Sequence, residues 1–170
     1  MCRALAVFAP LVASLLVAGH AKAADPDIND PIELSWGGAY LVAVQDGSVH
    51  HLGGVGASFS AYFVPHLFSF EIVSHALFGA HDLSFPIDLV IKADAVLSRV
   101  VHPYVNLGPT VVPEIQNGVA KLWVGGSIAL GVDLWFAHHW GLMIELNGNL
   151  IARRGIRPEV GTFIGPVFRF

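Results

Sequence analysis

From residue 33 onward, apolar side chains recur at every second position in one run after another, with clusters of Gly, Pro, Asp and His between the runs. A period of two belongs to β-strands with one apolar face; a helix repeats its apolar positions every three or four residues. The stretch 54–64 shows it most plainly, with Val55, Ala57, Phe59, Ala61 and Phe63 alternating against Gly54, Gly56, Ser58, Ser60 and Tyr62. Eight such runs follow one another. Their apolar sets begin at Leu34, Val55, Phe68, Ile87, Val105, Val124, Leu142 and Val160. The fourth run carries its apolar set as far as Ala95 and Leu97.

The opposite faces hold Gly, Ser, Asn and nearly every mid-strand charge. A soluble sandwich or lipocalin-like barrel would turn a charged face to water, yet only 13% of this chain is charged and 54% is hydrophobic. A soluble domain carries about 25% charged residues. The apolar faces are therefore expected to meet lipid, and the small polar faces to fill a narrow lumen. In hydrocarbon an open sheet edge strands unpaired N–H and C=O groups, so the strands must close on themselves. The expected fold is all-β, an eight-stranded antiparallel up-and-down transmembrane β-barrel over residues 33–170.

The N-terminus has the form of a secretory signal. Arg3 precedes an apolar stretch, and Ala21-Lys22-Ala23 offers a small-residue cleavage site, giving a cleaved peptide 1–23 and a polar lead-in 24–32. The apolar stretch is shorter than the ~20 residues of a spanning helix. Loss of Arg3 and Lys22 takes the net charge from −4 to −6. Such an acidic chain excludes a nucleic-acid partner. The uncharged stretch 47–70 is long enough for a helix, but its Gly, Ser, Pro and paired His residues punctuate strands instead.

Connections at Pro65-His66, Arg99 to His102 and Ala137 to His139 read as tight. Those at Gln45 to Leu52, Gly79 to Phe85, Pro109 to Gly118 and Ala152 to Pro158 read as longer. Short periplasmic turns and longer outer loops alternate this way in outer-membrane barrels. Trp36, Phe63, Phe68, Phe70, Trp135, Phe136, Trp140, Phe168 and Phe170 gather toward the short-turn end as an interfacial girdle.

These segments carry a resemblance: PYVNLGP at 103–109, VGGSIALGVDLWF at 124–136, HHWGLMIELNGNL at 138–150 and FIGPVFRF at 163–170. The chain resembles the small porin-like outer-membrane β-barrel family that includes OmpX, OmpW and the OmpA membrane domain. The resemblance implies a Gram-negative outer membrane, and a structural or surface-interaction role. It implies outer-membrane lipid and lipopolysaccharide as surroundings, and contact with the barrel-assembly machinery through the final strand, where Phe170, Phe168 and Ile164 share a face. A monomer is expected.

Candidate residues follow from parity. Glu33 and Arg169 are expected to pair inside at closure, and Lys92 to meet Glu71 or Asp94, because a lone buried ammonium is costly. Lys121, Arg153, Arg154 and Arg157 are expected at the outer rim, where guanidinium groups suit lipid phosphates. No residue pattern calls for a cofactor, a metal or a catalytic centre. The alternative is a lipopolysaccharide-modifying hydrolase on the same scaffold. Its candidates are His75 with Asp88 and Ser74 or Ser84, although Ser74 has the opposite parity to His75.

Overall fold

The computed structural model describes residues 31–170 except 46, 66, 81, 153 and 154. The lead-in and the signal sequence lie outside these, apart from the last two residues of the lead-in. The strands are β1 (Ile32–Gln45), β2 (Ser48–Val64), β3 (Phe68–Phe78), β4 (Asp82–Ser84), β5 (Ile87–Asp94), β6 (Val101–Gln116), β7 (Val119–Trp135), β8 (Trp140–Ala152) and β9 (Ile156–Arg169). All neighbours are antiparallel, and β1 pairs with both β2 and β9, so the sheet is a ring. β4 and β5 both lie between β3 and β6, and together they form one strand broken at Phe85-Pro86. The His75 and Phe85 amides bridge the break to the carbonyls of Pro86 and Pro113. The ring thus has eight strands.

The seam joins the chain's two ends. Ile32 and Phe170 exchange both backbone hydrogen bonds, at 3.3 and 2.9 Å. We call this the terminal end, and the other the hairpin end.

The barrel is apolar outside and polar inside. Leu107, Phe70, Leu122 and Ile164 are exposed, while Glu33, Lys92, Asp133 and Arg157 are buried. Among the described Asp, Glu, Lys and Arg residues only Arg99 is exposed. Such a surface suits hydrocarbon, in which charges are expensive and apolar side chains are not. The eight inward runs keep the parity that alternation requires.

The strands run further than their turn residues suggest. β6 continues through Pro109 and Pro113 to Gln116, β9 begins at Ile156, and β1 and β2 are separated by two residues. The stretches 45–52, 109–118 and 152–158 are therefore mostly strand, and loop length no longer assigns an orientation. Asn117-Gly118 closes β6–β7 with φ of 50° and 76°, a two-residue turn whose twist matches the strands. At ~3.4 Å per residue and a tilt near 40°, the 17 residues of β7 rise ~44 Å, well beyond a ~25 Å apolar band. The fourth run ends early, at Asp94, and Ala95 is buried in the turn that follows.

Outward aromatics do gather at the terminal end: Trp36 stacks on Phe168 at 5.0 Å, and tilted pairs form between Phe63 and Phe70 at 4.6 Å and between Phe136 and Trp140 at 5.3 Å. Trp135 is the exception. It has the inward parity of Asp133 and is 4% exposed, so it belongs to the lumen and not to the girdle.

Two Gly-Pro steps mark where the ladder breaks. The β1–β9 register runs from Glu33 to Ser35 opposite Arg169 to Val167 and resumes at Gly38 opposite Ile164, so the gap falls on Gly165-Pro166. Likewise the β5–β6 register skips Leu89 and Val90, opposite Gly108-Pro109. A Cβ on Gly165 would meet the carbonyl of Trp36, and one on Gly108 that of Leu89. Glycine lets two backbones close up there, and proline sits where no ladder donor is required.

Candidate functional site

The lumen holds eight buried carboxyl residues (Glu33, Glu71, Asp88, Asp94, Glu114, Asp133, Glu145, Glu159) against Lys92, Arg157 and Arg169. The three cations organise two networks, one toward each end.

At the terminal end Arg169 reaches Glu33 Oε1 from Nη2 at 2.6 Å and from Nε at 3.0 Å. Their strands are directly paired, as closure of the ring demands. Lys92 Nζ donates to Asp133 at 2.8 Å and to Glu33 at 3.0 Å, with Asp94 at 3.6 Å. Glu71 is not a partner of Lys92. It accepts from Asn106 Nδ2 at 2.7 Å, so the expected Lys92–Glu71 pair is corrected: the amide of Asn106 meets that carboxylate instead. The Tyr62 hydroxyl donates to Glu33 and Asp94, and that of Tyr104 to Glu145. Rings complete the shell, with Arg169 4.0 Å above Trp135 and Lys92 4.3 Å above Tyr104. The Tyr104 ring fills the space beside Gly131, where a Cβ would stand.

At the hairpin end Arg157 is the hub. It donates to both Glu114 oxygens at 2.9 and 2.8 Å, to Glu159 at 2.7 Å and to Gln45 at 3.1 Å, and lies 4.5 Å above Trp123. Trp123 Nε1 donates to Glu114, and Asn149 to Glu159. This overturns the placement of Arg157 among rim residues that grip lipid phosphate. Arg157 stands two residues before Glu159 on the lumen face of β9, and Gln45, Glu114 and Glu159 hold both of its terminal nitrogens. Lys121 also has inward parity, is half-buried, and donates to Gln116. Arg153 and Arg154 lie outside the described residues.

Two apolar clusters also fill the lumen, Tyr104, Trp135, Met143, Phe163 and Val167 in one and Leu41, Ala43, Leu52 and Leu77 in the other. His75 packs edge-on against Phe163 at 5.7 Å and over Gly56. No observed hydrogen bond joins the catalytic candidates of the hydrolase alternative. His75 Nε2 and Asp88 Oδ1 are buried without hydrogen-bond partners, Ser74 is exposed on the outer face, and Ser84 is buried. Among the described residues no group of three or more His, Cys, Asp and Glu could hold a metal ion. Buried polar atoms without protein partners, among them Ser69 Oγ, Thr110 Oγ1 and Asn147 Oδ1, call for water inside the lumen.

The sequence reading missed Glu114, Glu159, Trp123 and Asn149 as network members. Parity carried the signal, since counting by twos from Tyr104 reaches Glu114.

No protein-family model matches the chain, and no curated protein matches it. Solved structures do. Neisserial surface protein A superposes with a TM-score of 0.68 at 13% identity, over 82% of this chain and 97% of that one. OprG of Pseudomonas aeruginosa gives 0.61 at 14%, over 82% and 95%. Ail, the attachment invasion locus protein of Yersinia pestis, gives 0.64 at 10% in its complex with the heparin analogue sucrose octasulfate, over 82% and 97%. The fold is that of the small outer-membrane β-barrels.

Proposed function

We propose that this chain is a Gram-negative outer-membrane barrel, exported through its N-terminal signal, with a structural or surface-interaction role and no through pore. The observation that carries this is the inversion of the barrel: charges cross its lumen in two networks, and apolar side chains cover its outside. The likeness to Neisserial surface protein A and the outer membrane protein OprG supports the location. Ail binds a polyanion analogue, and a phosphate-rich lipopolysaccharide leaflet offers this chain the same kind of charge. Arg153-Arg154, between β8 and β9, are the residues proposed to meet it.

The test is refolding of residues 24–170 into vesicles containing lipopolysaccharide. The barrel is expected to migrate differently on a gel before and after boiling, to retain lipopolysaccharide, to leak no entrapped sugar and to release no acyl chains. Replacing Arg153 and Arg154 by Ser is expected to weaken retention several-fold. Released acyl chains would establish the hydrolase instead, steady leakage would refute the plugged lumen, and unchanged retention would clear the two arginines.

The closing strand carries a second proposed role. Phe170 and Ile164 are exposed on its outer face, Phe168 stacks on Trp36, and Phe170 makes the last backbone pair of the ring. This face is proposed as the signal read by the barrel-assembly machinery. Deleting Phe170 is expected to lower outer-membrane levels in cells several-fold while refolding into detergent barely changes. Equal, small shifts in both measurements would leave Phe170 as one more interfacial anchor.

A further inference from the structure

At the terminal end, the turns that follow β5 and β7 enclose a cavity of about 270 Å³, lined by Arg99, Val100, Trp135, Phe136, His138 and Arg169 among others. Backbone bonds fix its walls. Ser98 Oγ accepts from the Val100 and Val101 amides at 3.2 and 3.0 Å, and Trp135 N–H donates to the Val100 carbonyl at 2.8 Å. The Phe136 and Ala137 amides both donate to Trp140 O at 3.2 Å.

The lining is basic. It contains two guanidinium groups and an imidazole but no carboxylate, in a chain whose acids outnumber its bases. Arg99 is also the one exposed charge among the described Asp, Glu, Lys and Arg residues. Arg169 is held in place by Glu33, which takes Nε and Nη2, and by the face of Trp135. That commits two of the five N–H donors of the fork to Glu33. The lip of the cavity is different. Val100 and Phe136 are exposed, and Phe136 packs on exposed Trp140 within the aromatic belt. A fixed basic interior beside an apolar, interface-level lip fits an oxyanion attached to acyl chains.

We propose that this cavity is a phosphate site, filled by a phospholipid headgroup of the leaflet that meets the terminal end, or by free phosphate through the same chemistry. Arg99 and Arg169 supply the charge-assisted hydrogen bonds. The lipid source rests on the membrane reading above, so folding and binding must be read separately.

The barrel labelled with ¹⁵N-tryptophan and folded in detergent micelles provides the measurement, with heat modifiability confirming the fold. Its indole N–H signals are followed, that of Trp135 being assigned by its loss in Trp135→Phe. Inorganic phosphate is titrated first, then a short-chain phosphatidylglycerol at equal phosphate. The Trp135 signal is expected to move saturably while that of Trp123, in the other network, stays still. Arg99→Gln is expected to weaken the response about tenfold, the scale of one lost charge-assisted hydrogen bond. Saturation by inorganic phosphate identifies the free ion as sufficient, and saturation by the lipid alone identifies the headgroup. No saturable movement with either ligand in folded barrel, or undiminished affinity in Arg99→Gln, would overturn the site.

Discussion

Replacing Lys92 by Met is expected to destabilise the folded barrel by about 3–5 kcal/mol, the cost of removing one partner from a buried ion cluster. Lys92 is fully buried, and its ammonium is shared by Glu33, Asp133 and Asp94. Methionine fills much the same volume but leaves three carboxyl groups facing one another around an apolar chain. Arg169 still answers Glu33, at 2.6 Å, so the loss should fall mainly on Asp133 and Asp94. The urea midpoint of the folded gel band measures it. Adding Asp133→Asn to Lys92→Met should recover part of the loss, since the pair removes charge from both sides of one contact. A single variant as stable as the parent would mean that the lumen is wet enough to do without the lysine.

The second large effect concerns the seam. Gly165→Ala is expected to cost at least the 1–3 kcal/mol of ordinary overpacking and to reduce the yield of closed barrel. The added Cβ would press on the Trp36 carbonyl and on the Cα of Gly37, backbone atoms that no side-chain rotation can move aside. Gly37 meets Ile164 and Gly165 in the same way from the other strand, so neither side has room to yield. Gly108→Ala should behave alike against Leu89. Gly126→Ala provides the control: it lies on the outer face, its nearest neighbour would be 3.8 Å away, and it should be silent. Equal stability of the three alanine variants would dismiss the glycine corners as a constraint.

The barrel was legible because a side chain's parity decides whether it meets lipid or lumen, and one slip would invert a whole strand. That rule placed Glu33, Arg169 and Lys92 inside, and barrel closure paired Glu33 with Arg169, whose strands are neighbours. It stopped too soon wherever Pro or Gly resembled a turn. Pro158 and Gly155 disguise the start of β9, which hides that Arg157 shares the lumen face of Glu159. Pro109 and Pro113 hid the far half of β6 in the same way, along with Glu114. Proline is tolerated there because the neighbouring strand is itself broken at Phe85-Pro86 and the ladder has a gap at Leu89 and Val90. Partner choice across the lumen was not legible. Lys92 reaches Asp133 from two strands away and passes over Glu71, an outcome set by the stagger of the ring and by Asn106.

The tightness of the hairpin end has its own consequence. β1 and β2, like β6 and β7, are joined by only two residues, so what rises above the apolar band is a palisade of hydrogen-bonded strand. A protease needs a segment that can be drawn out into its cleft, and such hairpins supply little. A ligand landing there would meet side chains at the fixed spacings of a sheet, with strands ~4.8 Å apart, and would not have to freeze a wandering loop. Recognition at that rim would be set by the order in which side chains stand along the strands, as on a printed grid.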